Sequence, residues 1–208
     1  MKPKIKICGL KHPDNIREVI ALGPDYVGFI CYPGSKRYIG RLDAGWVAKL
    51  NGVKKTGVFV NAAIHEVKAA IQQYNFQAVQ LHGAETPAYC AELADLGVEI
   101  IKAFGISEQF EWATLTAYDP VAHHYLFDTQ SSQYGGTGKR FDWKLLAGYT
   151  GNKHFFLSGG ISAKNIADAL SINDRRLYGL DLNSRFETAP GVKDIILLKN
   201  TLQTISNE

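Results

Sequence analysis

Eight short apolar runs recur along the chain with segments of helical composition between them, and this alternation limits the fold more than any other feature. Each run has four or five residues of the kind that favours strands. The runs are Ile5–Cys8, Tyr26–Ile30, Thr56–Val60, Ala78–His82, Glu99–Ala103, Tyr125–Asp128, Phe155–Ser158 and Tyr178–Leu182. Strands that alternate with helices form right-handed βαβ units around a parallel sheet. Eight such units predict an α/β protein, a single-domain (β/α)8 TIM barrel over residues 1–208.

The main alternative is an open, doubly wound parallel sheet. Such sheets usually have fewer strands, and their first strand is often followed by a G-x-G-x-x-G turn. The first run here is followed instead by Gly9, Leu10 and Lys11. The number of runs and the missing turn together favour the closed barrel.

Helices are predicted where apolar spacing, capping residues and glycines agree. The predicted helices are Asp14–Leu22, Ala63–Tyr74, Pro87–Leu96 and Ala163–Leu170. Expected N-caps are Asp14, Ser107 and Ser162, and expected stop signals are Gly23 and Gly97. The apolar spacing of Glu108–Asp119 is irregular, which makes this the least defined element.

Composition and charge exclude several classes of partner. The chain has a net charge of +3, and its lysines and arginines are scattered, which argues against a nucleic-acid partner. No apolar run approaches the roughly 20 residues that span a bilayer, and the N-terminus lacks a signal peptide, so we expect a cytoplasmic protein with no membrane partner. Cys8, Cys31 and Cys90 form no C-x-x-C pair. Neither a disulfide framework nor a zinc site is therefore suggested.

Polar residues end several of the predicted strands. Because side chains alternate across a strand, Gln80 and His82 share one face, and so do Asp181 and Asn183. We expect the apolar faces of these strands to pack outward on helices and the polar faces to point into the barrel. Active sites of such barrels lie at the C-terminal ends of the strands. The polar groups that end strands and converge there are Cys8, His82, Asp128, Ser158 and Asn183.

A phosphate site is predicted after the seventh and eighth strands. Ser158, Gly159 and Gly160 form a two-glycine turn in which backbone N–H groups can approach an anion, and a helix start at Ser162 would add a favourable dipole. The segment Asn183–Glu187 follows the eighth strand and fits as the second half of the site. A simple left-handed turn is the alternative interpretation of the two glycines.

Asp128 and Cys8 are the candidate acid and base. Asp128 ends the sixth strand and precedes the glycine-rich segment Tyr134–Lys139, which suits a mobile cover that excludes water. A thiol base needs a positive environment, and Lys6 could supply it from the same strand face or pair instead with Asp181. By themselves, an aspartate that caps a turn and a cysteine that only fills space remain open alternatives.

Arg37 and His82 are candidate ligand contacts. The planar guanidinium of Arg37, in the loop after the second strand, suits a carboxylate. His82 could donate to a ligand oxygen. A solvated surface arginine and a histidine that only holds a loop are the alternatives.

These segments, in this order, closely resemble the phosphoribosylanthranilate isomerase family over nearly the whole chain. The combination of Lys6–Gly9, Gln80–Gly83 and Gly135–Gly138 is highly specific as a set. Further matching stretches are Asp25–Phe29, Ser35–Tyr38, Gly57–Asn61, Asp128–Thr129, Leu157–Gly160, Asp181–Ser184 and Pro190–Asp194.

The resemblance implies an Amadori rearrangement of N-(5-phosphoribosyl)anthranilate that requires no cofactor or metal. A protonated Asp128 would open the ribose ring, Cys8 would then remove the C2 proton, and Arg37 would hold the anthranilate carboxylate. The implied substrate-binding residues are Arg37, Gln80, His82, Ser158, Gly159, Gly160, Asp181, Asn183, Ser184 and Arg185. The implied partner is a small phosphosugar, and a monomer is favoured although a homodimer is possible.

Arg185 departs from the family pattern, which commonly has glycine at this position. The arginine either helps to neutralise the phosphate or points out to the barrel rim. Two other barrels remain as rivals. The histidine-pathway isomerase has two phosphate sites and an aspartate on its first strand, and a phosphosugar-binding barrel would have lost catalysis.

Overall fold

A closed barrel of parallel strands forms the centre of the molecule. The computed structural model describes residues 2–130 and 141–207. The strands are β1 (Lys4–Cys8), β2 (Tyr26–Ile30), β3 (Lys54–Phe59), β4 (Ala78–Leu81), β5 (Glu99–Ile106), β6 (His124–Thr129), β7 (Phe155–Leu157) and β8 (Leu177–Leu182). Each pairs with the next, and β8 pairs in parallel with β1, so the ring closes. The predicted (β/α)8 barrel is confirmed.

Helices connect the strands on the outside of the barrel. They are α1 (Pro13–Ala21), α2 (Ala44–Ala48), α3 (Ile64–Tyr74), α4 (Pro87–Ala94), α5 (Ile166–Leu170) and α6 (Ile195–Asn207). Short 3₁₀ helices cover Trp112–Tyr118, Trp143–Gly148 and Ser184–Phe186, and a hairpin of β9 (Glu187–Ala189) and β10 (Val192–Lys193) precedes α6. The irregular spacing within Glu108–Asp119 thus corresponds to a 3₁₀ helix.

The three predicted N-caps are wrong. Asp14 lies inside α1, which begins at Pro13. Proline suits the first position of a helix because its ring fixes φ near the helical value, and the N–H that it lacks would have no partner in the first turn. Ser107 closes a turn, accepting from the Phe110 N–H at 3.1 Å. Ser162 also closes a turn, and α5 begins four residues later at Ile166. The stop signals are confirmed, since Gly23 and Gly97 follow α1 and α4 with φ of 74° and 72°.

Two layers of side chains fill the structure as strand alternation predicts. The outward-facing Val79 and Leu81 of β4, and Leu180 and Leu182 of β8, are fully buried in the main apolar core beneath the helices. A smaller cluster fills the barrel interior and comprises Tyr26, Ala78, Ile101, Ala103, Leu126 and Phe156. This interior packing fills the barrel below its C-terminal mouth.

A polar cluster lies at the opposite end of the barrel, where the strands start. The Glu99 carboxylate accepts a hydrogen bond from the Tyr26 hydroxyl at 3.0 Å and pairs with the Lys54 ammonium. His124 Nε2 lies 3.5 Å from the same carboxylate, and its ring stacks on Tyr178 at 4.0 Å between centroids. Burial lowers the pKa of His124 to about 4. We call these five residues the basal cluster.

Candidate active site

A cavity of about 480 Å³ opens at the C-terminal mouth of the barrel. The predicted site residues that line it are Cys8, Gln80, His82, Asp128, Ser158, Gly159, Gly160, Asp181, Asn183 and Ser184. Arg37 and Arg185 are not among its lining residues. The convergence of strand-end polar groups in one place follows from strand alternation and parallel pairing.

The Cys8 side chain is buried at the end of β1 against a glycine of the next strand. Cys8 pairs in register with Gly28, and a Cβ at Gly28 would lie 2.6 Å from Cys8 Sγ. Only glycine leaves room there for the thiol. The signal for this contact was a glycine inside a strand, which often marks the close approach of another group.

Charged groups surround the Cys8 thiol. Lys6 Nζ lies 2.9 Å from Asp181 Oδ1, and both side chains are buried. Asp181 also accepts a hydrogen bond from Ser158 Oγ at 3.4 Å. Burial raises the pKa of Cys8 above the ordinary thiol value, with Lys6 and Lys193 opposing the rise and Asp181 adding to it. Burial thus favours the protonated thiol, whereas the two lysines favour the thiolate.

Glu187 and Lys193 form a second buried ion pair, which the sequence did not reveal. Lys193 Nζ donates to Glu187 Oε1 at 2.7 Å and to Asn183 Oδ1 at 2.9 Å. Arg37 donates from Nε and Nη2 to the same carboxylate at 2.9 and 2.6 Å. Burial alone would raise the pKa of Glu187, but the hydrogen bonds and charges of Arg37 and Lys193 hold it below its usual range. Arg37 is thus engaged by Glu187 through one edge of its guanidinium.

Asp128, at the end of β6, contacts both its own backbone and the side chain of His82. Asp128 Oδ1 accepts from the Thr129 N–H at 2.7 Å, and Oδ2 lies 3.4 Å from His82 Nε2. On the other side of the ring, His82 Nδ1 lies 2.7 Å from Gln80 Nε2. Gln80 Oε1 is buried and has no hydrogen-bond partner among the described residues. The three side chains form a continuous row along the cavity wall.

The turn after β7 has the backbone that the glycines suggested. Gly159 and Gly160 have φ of 81° and 69°, and a Cβ at Gly159 would lie 2.8 Å from Asp128 Oδ1. The helix start expected at Ser162 is absent, because the Asn165 side chain accepts from the Ser162 N–H and donates to the Gly160 carbonyl. The helix dipole therefore starts farther from the glycines than expected.

The segment after β8 presents only part of its predicted surface to the cavity. Asn183 and Ser184 line the cavity, whereas Arg185 is exposed on the 3₁₀ helix that follows. This placement fits the rim position rather than direct phosphate contact. The cover segment expected at Tyr134–Lys139 lies outside the described residues.

Lys102 and Glu85 support the loops after β3 and β4, and neither role was predicted from the sequence. Lys102 Nζ donates to the carbonyl oxygens of Leu81 and Gly83 at 3.1 and 2.8 Å. Its distance to Glu85 Oε2 is 3.3 Å, and Glu85 Oε1 accepts from the Asn61 N–H at 2.8 Å. This buried pair fixes the backbone on both sides of His82.

The described part of the chain contains neither a cluster of metal ligands nor a membrane-spanning helix. Within residues 2–130 and 141–207, no group of three or more histidine, cysteine or acidic side chains is arranged to hold a metal ion. In the same part of the chain, none of the helices has the length and apolar character to cross a bilayer.

A solid parallel barrel with a polar cavity at the ends of its strands defines a (β/α)8-barrel enzyme. Residues 5–204 match the family model described as N-(5'-phosphoribosyl)anthranilate (PRA) isomerase. The chain belongs to this family, the isomerases of that name in tryptophan biosynthesis, and the resemblance in the sequence motifs is confirmed.

Individual relatives agree with the family match. The chain is 43% identical over 204 residues to N-(5'-phosphoribosyl)anthranilate isomerase of Parabacteroides distasonis, covering 97% of this chain and 92% of the relative. The crystal structure of the Thermotoga maritima phosphoribosyl anthranilate isomerase is 32% identical, with a TM-score of 0.87 and coverage of 99% and 100%.

A further solved isomerase is in complex with reduced 1-(o-carboxyphenylamino)-1-deoxyribulose 5-phosphate. It is 30% identical to this chain, with a TM-score of 0.85 and coverage of 99% of this chain and 100% of the other.

Proposed function

We propose that this chain converts N-(5-phosphoribosyl)anthranilate to 1-(2-carboxyphenylamino)-1-deoxyribulose 5-phosphate, with Asp128 as general acid and Cys8 as general base. The observation that carries the proposal is that both side chains line one cavity, on strands β6 and β1, three steps apart around the ring. The ligand of the solved relative, a reduced form of this product, supports a phosphosugar as the ligand of the same cavity.

Asp128 acts first in this scheme. Its carboxyl group gives a proton to the furanose ring oxygen, the C1–O bond breaks, and the nitrogen lone pair forms the Schiff base. The carboxylate left behind accepts from the Thr129 N–H, and His82 Nε2 lies beside its other oxygen. Such hydrogen bonds stabilise the charged form that donation produces.

Cys8 then removes the proton from C2. The C–H electrons form the enolamine as the Schiff base nitrogen becomes neutral, and tautomerisation gives the ketone. This step requires a thiolate, which burial disfavours and which the Lys6 and Lys193 ammonium groups favour. The buried lysines therefore support a base role that an isolated buried thiol would perform poorly.

The ends of the substrate bind on opposite sides of the reacting carbons in this proposal. The phosphate contacts Ser158, Gly159 and Gly160. Asn183 and Ser184 complete the phosphate-binding site. Glu187 uses Nε and Nη2 of Arg37 and leaves Nη1 available. When the Arg37 side chain turns toward the cavity, Nη1 binds the anthranilate carboxylate.

The test follows the fluorescence that is lost as phosphoribosylanthranilate is consumed. Cys8→Ala and Asp128→Asn should each reduce kcat by about 100-fold to 10,000-fold, the range of general acid–base catalysis. Cys31→Ala is the matched control, because Cys31 does not line the cavity. Wild-type turnover by a variant that carries both Cys8→Ala and Asp128→Asn would contradict the roles of both residues. Substrate binding without turnover by the unaltered protein would indicate a binding protein instead.

We propose that the chain is a monomer. Within the described residues, the large apolar side chains that are exposed are Tyr38, Leu96 and Ile196. They lie after β2, after β4 and in α6, which are not neighbouring connections on the barrel. One solved relative is a monomeric form made from the dimeric Thermotoga maritima enzyme. Light scattering after size exclusion should give the mass of one chain, and the mass of two would contradict the proposal.

A further inference from the structure

We propose that Gln80 and His82 transmit substrate binding to Asp128: a substrate donor on Gln80 Oε1 fixes the amide, the amide fixes the tautomer of His82, and His82 holds Asp128. This inference rests on the proposed function of Asp128 as the acid. His82 is a positioning residue in it, since it acts on the substrate only through Asp128.

The direction of each hydrogen bond follows from the carboxylate at the end of the row. Once Asp128 has donated its proton it has only acceptor atoms, so its contact with His82 Nε2 at 3.4 Å is then favourable when Nε2 carries the proton. In the neutral ring Nδ1 is then an acceptor. It must receive a proton from Gln80 Nε2, which lies 2.7 Å away. The 3.4 Å contact should shorten in the substrate complex, since catalytic hydrogen bonds often tighten only there.

The unpaired atom of this row belongs to a side chain that lines the cavity. With its amide nitrogen toward His82, Gln80 leaves Oε1 buried, and that atom has no partner among the described residues. The Gln80 side chain is almost completely buried and lines the cavity. A buried unpaired carbonyl oxygen is unfavourable until a donor reaches it. An aminosugar substrate supplies such donors, its ribose hydroxyls and its anilino N–H.

The reverse orientation of the amide breaks the row. Gln80 Oε1 would then face His82 Nδ1 and require the proton there. The lone pair of His82 Nε2 would then face the Asp128 carboxylate. Amide orientation, ring tautomer and the contact with Asp128 are thus coupled, and a single donor bound to Gln80 Oε1 selects all three.

The charged groups near this row are paired with each other. Lys102 of β5 and Glu85 of the loop after β4 form the buried pair that supports the backbone of His82. Asp128 is the charged group that contacts the ring of His82 within the described part of the chain. The tautomer of His82 therefore follows Gln80 and Asp128.

The first experiment measures the tautomer of His82 by ¹⁵N NMR of the protein with reduced 1-(o-carboxyphenylamino)-1-deoxyribulose 5-phosphate bound. The unaltered protein should carry its ring proton on Nε2. Gln80→Met removes both amide atoms while keeping the length of the side chain, and should give a mixture of the two tautomers. Thr56→Val is the matched control, because Thr56 Oγ1 is also buried without a partner among the described residues but does not line the cavity. A proton on Nδ1 in the unaltered protein, or an unchanged tautomer in Gln80→Met, would overturn the proposal.

The second experiment is a double-mutant cycle on kcat. Gln80→Met and His82→Asn should each reduce kcat by about 10-fold to 100-fold, the range found for residues that orient metal ligands through a hydrogen bond. His82→Gln places an amide near the position of Nε2 and should recover most of the activity. In an Asp128→Asn background, Gln80→Met should change kcat little, because its effect passes through Asp128. Multiplicative losses in the double variant would overturn the proposal.

The two experiments separate this inference from the proposed function. If the unaltered protein does not consume phosphoribosylanthranilate, the proposed function fails. The NMR result still decides the coupling between Gln80 and His82, since it needs no turnover.

Discussion

At the scale of single residues, the absence of a side chain at Gly28 sets the position of the candidate base. A methyl group there would come within 2.6 Å of Cys8 Sγ. We expect Gly28→Ala to displace the thiol, to reduce kcat by at least 10-fold and to cost about 1–3 kcal/mol of stability, as overpacking does. Urea unfolding and the fluorescence assay measure the two effects.

Gly45→Ala is the matched control for this substitution. Gly45 lies in α2, where a new Cβ meets only Asp43 Oδ1 at 3.4 Å. Alanine should keep kcat unchanged and stabilise the helix by up to about 1 kcal/mol. Full activity in Gly28→Ala would show that the thiol does not need its observed position.

The Lys6–Asp181 pair leads to a second prediction for a single residue. Lys6→Met leaves the Asp181 carboxylate buried without its partner, which typically costs about 3–5 kcal/mol. It also removes one of the two cations that lower the pKa of Cys8. The base must lose its proton to act, so activity rises with pH, and the rise should move to higher pH in the variant. An unmoved pH profile of kcat/KM would contradict the role of Lys6.

At this scale, the positions of strand-end side chains could be predicted from the sequence, whereas the residues that contact them could not. Cys8, His82 and Asp128 could be placed at the mouth because strand alternation fixes direction. Glu187 and Lys193 could not, because their contacts depend on how the hairpin after β8 folds back toward Arg37. No periodicity in the sequence carries that information.

At the scale of elements, the turn before α5 shapes the proposed phosphate site. The Asn165 side chain joins the Ser162 N–H and the Gly160 carbonyl at 2.8 and 3.0 Å. Asn165→Ala should release the glycine backbone, raise KM about 10-fold and cost roughly 1 kcal/mol, as lost caps do. Steady-state kinetics and urea unfolding test this expectation.

Thr86→Ala is the control at an equivalent position elsewhere. Thr86 is the N-cap of α4 and accepts from the Tyr89 N–H at 3.3 Å. Its loss should lower stability by a similar amount with KM unchanged. Equal KM values in the two variants would contradict a role of the α5 turn in binding.

The strands were more predictable than the helices for a physical reason. Strands buried on both faces give near-continuous apolar runs, and all eight were located from these runs. Helix starts depend on single side chains, and a proline at position 13 and an asparagine at position 165 determined two of them. Weak apolar periodicity after β5 corresponds to 3₁₀ geometry.

At the scale of the whole molecule, the basal cluster makes stability sensitive to acid. The folded-state pKa of His124, about 4, lies below its ordinary value of 6.5, and burial is the main cause. A lowered histidine pKa contributes stability above pH 6.5 that is lost as the pH falls toward 4. The loss amounts to at most about 3 kcal/mol.

His124→Phe should flatten the dependence of unfolding free energy on pH between about 6.5 and 4. His65→Asn is the control, because His65 is exposed on α3 and should leave the curve unchanged. Identical curves for the unaltered protein and His124→Phe would contradict this assignment. Activity near neutral pH should stay close to normal, since the cluster lies at the end of the barrel away from the cavity.

The pair between Lys6 and Asp181 also bears on how the protein is made. The two residues are 175 positions apart, on the first and last strands of the ring. Asp181 is synthesised after strands β1 to β7. The nascent chain therefore carries Lys6 without its partner carboxylate until the last strand of the barrel has been made. The surroundings of Cys8 are complete only when β8 pairs with β1, so Asp181 and Lys193 can reach the proposed base only after the rest of the barrel has been synthesised.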